Sequence, residues 1–349
     1  MTDGTDDRDE PHMRSSPEFD LITAIRERLA ATVRGRAGSV RIGIGDDAAV
    51  TVTPPGAATA VSIDALVDGV GFRRSWCPPR SIGRKAIGAA LSDLAAMGAE
   101  PADVYVWIGM PADFSREDCL ELCDGLAELA ELQGAAVLGG DLTAAGMLAV
   151  CVTAVGHAGS VEEMVGRSGA EPGFAVCATG SFGGAAAGLM LLEHPELGEG
   201  LTDQVRRTVT SRQLAPEPRV AAGRALAAAG AKAMIDVSDG LGAEAEHLAA
   251  ASGVGIEIAV DRIQRGVGVG EVAAAAGRDP DELMVSGGED YELLCAIPRG
   301  ALADCRSAVE RTGTDLHEIG RVVPGGAVRL RLPGGRSIPV GGHDHFRAS

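Results

Sequence analysis

Aromatic residues are scarce in this chain: Phe, Tyr and Trp make up only 3% of its 349 residues. With 46% hydrophobic residues overall, any core must be assembled from Val, Ile, Leu and Ala. Basic residues are also in deficit, 31 Lys and Arg against 49 Asp and Glu, for a net charge of -18. That balance argues against binding a nucleic-acid backbone, which needs clustered cations. It leaves room for anionic ligands, because bound metal ions invert the local field. The seven cysteines form no CxxC. Cys119 and Cys123 stand one helical turn apart, a poor disulfide and an incomplete zinc site, so free thiols in a reducing cytoplasm are expected. No apolar run approaches the ~18 residues of a membrane span, and no basic segment leads into an apolar one as a signal peptide would. The P-loop, HExxH and GxSxG patterns are all missing, which removes the corresponding nucleotide-binding, zinc-protease and hydrolase classes by motif.

The length favours two domains. Residues 1–17 are acidic and nearly devoid of apolar residues, the composition of a disordered tail. Beyond them, helical and strand patterns alternate in two series. The first has a helix over 18–34, a strand over 40–52 interrupted by a Gly-Asp turn, strands over 59–67, 103–110, 135–138 and 147–156, and helices over 81–97 and 115–132. The second restarts at 174 after a linker region over 157–172. Mixed α/β order in both halves predicts two α/β domains with mixed sheets, 18–157 and 168–349.

What the chain does have is an aspartate that returns in small-residue surroundings. It occurs in Gly43-Ile-Gly-Asp-Asp-Ala48, Ser62-Ile-Asp64, Leu91-Ser-Asp-Leu94, Gly139-Gly-Asp141 and Asp236-Val-Ser-Asp-Gly240. Converging carboxylates stay ionised only if cations separate them. Small neighbours let backbone and phosphate approach, and Mg²⁺ is the cation that combines a few carboxylates with substrate phosphates. Each motif also has a plain structural reading. Gly43–Ala48 could be a hairpin turn; a dinucleotide fingerprint is disfavoured, since Val50-Thr-Val-Thr follows where a helix should open and two aspartates would repel a pyrophosphate without a metal. Asp64 could sit at a strand end. Asp93 lies among Ala86, Ala89, Ala90 and Met97 on a helix face without a basic partner, and a cation is the favoured explanation. Gly139-Gly-Asp141 could be a turn after a short strand, and Ser238 or Asp239 a helix cap. Ser286-Gly-Gly-Glu-Asp-Tyr-Glu292 opens a strand with three acids. Gly180-Ser-Phe-Gly-Gly184 and Arg167 could meet phosphate or belong to ordinary loops.

In order, these motifs closely resemble the thiamine-monophosphate kinase family. The matching stretches include Gly-Ile-Gly-Asp-Asp-Ala, Ser-Ile-Asp-Ala-Leu-Val-Asp-Gly-Val, Leu-Ser-Asp-Leu-Ala-Ala-Met-Gly-Ala, Arg-Ser-Gly-Ala-Glu-Pro-Gly, Ile-Asp-Val-Ser-Asp-Gly-Leu and Ser-Gly-Gly-Glu-Asp-Tyr-Glu-Leu, with Gly342-His-Asp-His-Phe346 at the end. That family is part of the aminoimidazole-ribonucleotide-synthetase-like ATP-binding superfamily. The resemblance implies phosphorylation of thiamine monophosphate by ATP to give thiamine diphosphate. It also implies several Mg²⁺ ions and a cytoplasmic homodimer joined through the N-terminal domains, with the nucleotide near the interface. It implies metal binding by Asp46, Asp47, Ser62, Ile63 (through its carbonyl), Asp64, Asp93, Asp141, Asp236 and Asp239. Gly140, Asp141, Arg167 and Ser238 would contact ATP, and Glu289 would face the thiamine substrate. The chain departs from the family on that substrate side: Gly71 replaces a histidine in Gly69-Val-Gly-Phe72, and His343 replaces an aromatic residue. Other readings are a superfamily member that activates a carbonyl or amide oxygen with ATP, or a maturation protein of this fold without turnover.

Overall fold

The computed structural model describes residues 17–34, 39–44, 47–333 and 337–342. The first half contains α1 (Pro17–Arg34), β1 (Val40–Ile42), β2 (Val50–Thr51), β3 (Ala58–Val67), α2 (Pro79–Ala96), β4 (Glu100–Met110), α3 (Arg116–Gln133), β5 (Ala136–Ala144) and β6 (Ala149–Ala158). The strands β1 and β2 pair antiparallel. The other four form a sheet in the order β3-β6-β4-β5, antiparallel except for the parallel β4–β5 pair. Helices α2 and α3 cover one face of it. α3 starts at the expected capping box, Ser115 Oγ accepting from the Asp118 N–H while the Asp118 carboxylate accepts from the Ser115 N–H. The two helices meet backbone to backbone: a Cβ on Gly83 would collide with Leu122 O, and one on Gly125 with Arg80 O.

The other face is open, so β3 alternates between half-buried Ser62 and Asp64 inside and Val61 and Ile63 outside, the last two 60% and 69% exposed. The strand expected to stop at Leu138 runs on through Gly139-Gly-Asp141 to Ala144. Its glycines serve the sheet rather than a turn, because a Cβ on Gly140 would strike Val106 O of the neighbouring strand.

The second half contains β7 (Ala175–Thr179), α4 (Gly184–Glu193), α5 (Asp203–Leu214), α6 (Val220–Ala229), β8 (Ala233–Asp236), α7 (Leu241–Ser252), β9 (Gly255–Ala259), α8 (Val269–Ala275), α9 (Pro280–Ser286), β10 (Leu293–Ile297), α10 (Leu302–Glu310), β11 (Leu316–Val323), β12 (Val328–Arg331) and β13 (Ser337–Ile338). Its strands form one mixed sheet in the order β13-β12-β9-β11-β7-β10-β8. The strand expected from Asp290 begins only at Leu293, because Glu289 and Tyr291 adopt φ of 64° and 50°, outside strand geometry.

Edge strand β3 of the first sheet and edge strand β8 of the second both flank α2, which thereby becomes the shared wall between the halves. α6 joins them too: a Cβ on Gly223 would collide with Ala95 O, so the helix backbones touch there. No helix among the described residues is long and apolar enough to cross a membrane.

Candidate active site

The two edge strands and α2 enclose a cleft of about 370 Å³, lined by Ser62, Ile63, Asp93, Met97, Arg167 and Asp236 among others. Adjacent residues of α2 reach to opposite sides of it. On one side Ser62 Oγ donates to Asp93 Oδ2. On the other Ser92 Oγ donates to Asp236 Oδ2 at 2.7 Å, a buried bond between residues 144 apart in the chain. Asp236 is 4% exposed. Burial, followed by the charge of nearby Asp93, pushes its carboxyl up to about 7, while Ser92 and Arg167 act in the opposite direction.

Tyr291 marks where the acids gather. Its buried phenol is held well above the ordinary range by burial and by the fields of Glu289, Asp64, Asp236 and Asp93. Carboxylates from β3, α2, β8 and the segment before β10 therefore act on one ring. The 288–291 segment lies against the end of β8: the Glu289 N–H donates to Ser238 O at 2.7 Å and the Tyr291 N–H to Val237 O at 2.9 Å. Glu289 itself is pinned. Lys85 Nζ of α2, 1% exposed, lies 2.8 Å from its Oε1 as an ion pair rather than a well-directed hydrogen bond. Gln213 donates to its Oε2 at 2.6 Å.

Other expected residues are placed differently. Neither Ser238 nor Asp239 caps α7: the cap is Gly240 at φ 118°, and Glu244 folds back to accept from the Asp239 N–H at 3.2 Å and the Ser238 hydroxyl at 3.3 Å. Several amides at the Gly180–Gly184 loop are already engaged: Asp290 accepts from the Gly183 N–H at 2.6 Å and, just beyond the loop, from the Ala185 N–H at 3.1 Å, while the Gly180 and Phe182 N–H groups donate to Asp315 O and Gln264 O. Asp47 is exposed in the bend before β2 and does not line the cleft. Asp46 and His343 lie outside the described residues. Gly71 occupies a tight turn where a Cβ would come within 2.8 Å of Leu66 Cδ2, so a histidine there would require Leu66 to move.

Asp141 stands apart from the acidic group. Asp64 faces Val152, then Val106, then Gly140 across the sheet, so β5 lies three strand spacings from β3, about 14 Å. Asp141 shares the open face with Trp107 and accepts from Thr143 Oγ1 at 2.8 Å. Within one chain it does not meet Asp93 or Asp236.

The donors fit a hard cation. They are carboxylate and hydroxyl oxygens, and no thiol or imidazole lines the cleft among the described residues. Burial and the charge of Asp93 oppose ionisation of Asp236, a conflict that a bound cation would relieve. Among the described residues no three carboxylate, thiol or imidazole groups form a ready-made metal cage. Mg²⁺ takes one or two carboxylates and completes its shell with water and substrate phosphate.

Ser92, Lys85, Gln213 and Tyr291 escape the sequence reading. Ser92 is masked by its neighbour Asp93. Lys85 has a signal of its own, a lysine on the small apolar face of α2, seven residues before Ser92 and so about two turns away along the same side.

Residues 45–158 match the N-terminal domain of AIR synthase related proteins and residues 171–333 the C-terminal domain. The fold and the inter-domain cleft thus define a two-domain AIR synthase-related protein. A thiamine-monophosphate kinase of Mycobacterium tuberculosis is 38% identical over 292 residues, 82% of each chain. The crystal structure of thiamine-monophosphate kinase from Stenotrophomonas maltophilia superposes with a TM-score of 0.81 at 30% identity, covering 90% of this chain and 97% of that one. A structure described as AaThiL complexed with AMPPCP and TMP gives 0.74 at 30% identity, covering 94% and 97%. The chain belongs to the thiamine-monophosphate kinase family.

Proposed function

We propose that this protein transfers the γ-phosphoryl group of ATP to the phosphate of thiamine monophosphate, releasing ADP and thiamine diphosphate. The bond from the γ-phosphorus to the bridging oxygen of ADP breaks, and an acceptor phosphate oxygen forms the new P–O bond. The acceptor is already an anion, so no strong general base is required. The chemical demand is to align two polyanions and offset their charge. The observation that carries the reading is the pair Ser92-Asp93 on α2, which ties Ser62 of one domain and Asp236 of the other into one cleft with Arg167.

Asp64, Asp93 and Asp236, with Ser62 and the Ile63 carbonyl, would hold Mg²⁺; the motifs also suggest Asp46, Asp47, Asp141 and Asp239 as ligands. When bound, Mg²⁺ neutralises and orients phosphate oxygens. Arg167 adds a fixed positive charge beside Asp236, and Ser238 presents a hydroxyl beside it for the nucleotide. Glu289 faces the thiamine side, where its negative charge complements a cationic ring. We place closure of domains 18–157 and 168–349 at the α2 wall, which brings donor and acceptor into line.

Gly140 and Asp141 join the nucleotide through a second copy of the chain. The open sheet face bears exposed Val61, Ile63 and Trp107, an apolar patch that a symmetric partner would cover. Pairing through it would bring the partner's β5 toward the cleft. We assign the protein to the cytoplasm, supported by seven free cysteines. The test is incubation with ATP, Mg²⁺ and thiamine monophosphate, followed by chromatography. ADP and thiamine diphosphate should form in equal amounts. ATP binding or hydrolysis without thiamine diphosphate would refute the assignment.

A further inference from the structure

We propose that Lys85 is a positioning residue for the acceptor, acting through Glu289; the inference rests on the kinase reading above. A lysine 1% exposed is costly unless an anion compensates it. Around the ammonium stand the Glu289 carboxylate at 2.8 Å and the Cys77 thiol, which burial pushes up to about 12 and so keeps neutral. Glu289 is thus the counter-charge of Lys85.

The backbone shows why Glu289 needs such a clamp. It holds φ of 64°, which a non-glycine residue adopts only when its surroundings enforce it. The enforcing contacts converge from both domains: Lys85 from α2, Gln213 from α5 and the Ser238 carbonyl beyond β8. Gly288 allows the approach, since a Cβ there would collide with Ser238 O. The carboxylate is nevertheless a quarter exposed, so it is fixed at the edge of the acidic group rather than sealed inside it. Lys85 therefore does two things without touching substrate. It sets the direction of the Glu289 carboxylate, and it offsets one negative charge beside Asp64, Asp93 and Asp236 before a phosphorylated acceptor arrives. Because Lys85 and Glu289 belong to different domains, the pair also makes acceptor binding depend on their docking.

The experiment compares full-length wild type, Lys85→Met, Glu289→Gln and the double variant by steady-state kinetics with ATP and thiamine monophosphate, and by crystal structures. Lys85→Met should raise KM for thiamine monophosphate about ten-fold or more, the equivalent of one lost directed polar contact. KM for ATP should change much less. The double variant should be no worse than Glu289→Gln alone, because Lys85 works through that carboxylate. In crystals of Lys85→Met, residue 289 should leave the left-handed region. An unchanged acceptor KM in a folded Lys85→Met protein would overturn the proposal. If Lys85→Met does not fold, the double variant removes the uncompensated charge, and an acceptor KM well above that of Glu289→Gln would overturn it equally. A wild-type protein that makes no thiamine diphosphate fails the kinase reading instead. The residue 289 conformation then decides the positioning claim: retention of φ near its present value in Lys85→Met would overturn it.

Discussion

Replacing Asp236 by Asn should make the metal-free protein more stable at neutral pH while removing its activity. Asp236 is buried, and burial together with Asp93 raises its carboxyl from the ordinary 3.8 to about 7. Between those values the folded protein retains a proton that the unfolded chain has released. Stability therefore falls as pH rises across that window and levels off above it. At 1.36 kcal/mol per unit, the full interval corresponds to at most about 4 kcal/mol. Some relaxation and water entry will reduce it, so about 2 kcal/mol is a reasonable lower expectation. Asn preserves the shape and can accept from Ser92 Oγ, yet carries no charge. Thermal unfolding in EDTA should show wild type losing ground to Asp236→Asn from pH 4.5 to 7.5, by several degrees in total. Adding Mg²⁺ with an ATP analogue should close the gap, because bound ligand stabilises only the protein that can bind it. Parallel Tm profiles for the two proteins in EDTA would refute the reasoning.

Two further outcomes concern the framework around the site. Glu292 is fully buried and accepts from Arg219 at 2.7 and 2.6 Å, from Arg212 at 3.1 Å and from Thr179 at 2.8 Å. Burial opposes its charge, and the Arg219 contacts overcome this to hold its carboxyl below the usual range. Arg219→Met should cost about 3–5 kcal/mol in urea unfolding, the expected penalty for breaking a buried pair; a loss within 1 kcal/mol would contradict it. Thr153 lies at the centre of the open face, opposite Ile63 and Tyr105. Under the pairing proposed above, Thr153→Arg should give a monomer by light scattering and reduce turnover at least ten-fold, since Asp141 would no longer be brought to a neighbouring cleft. A fully active monomer would remove Asp141 from the site.

Much of this architecture is visible in the chain because local rules and tertiary demands agree. Ser115 and Asp118 form the capping box they suggest, and the alternation at 58–67 is that of a sheet with one covered face. Reading fails where a distant element decides. Gly139-Gly-Asp141 has the composition of a turn, but a parallel neighbour makes it a strand and carries Asp141 to the open face. Gly180–Gly184 has the composition of a phosphate loop, but Asp290, more than a hundred residues later, takes the Gly183 amide and that of Ala185 just beyond. The aspartates announce themselves by repetition. The residues that organise them do not, because Ser92 and Lys85 acquire meaning only when the second domain brings Asp236 and Glu289 alongside.

Asp93 is the group that both halves of the account share, so its replacement is the most direct test. Asp93→Asn should keep the wild-type circular dichroism spectrum and a Tm at least as high in EDTA, since it relieves repulsion with Asp236. It should lower kcat for thiamine diphosphate formation by about two orders of magnitude or more, the scale of losing one electrostatic contact at a phosphoryl-transfer centre. A folded Asp93→Asn protein with near-normal kcat at saturating Mg²⁺ and ATP would contradict the assignment of this cleft as the site of phosphoryl transfer.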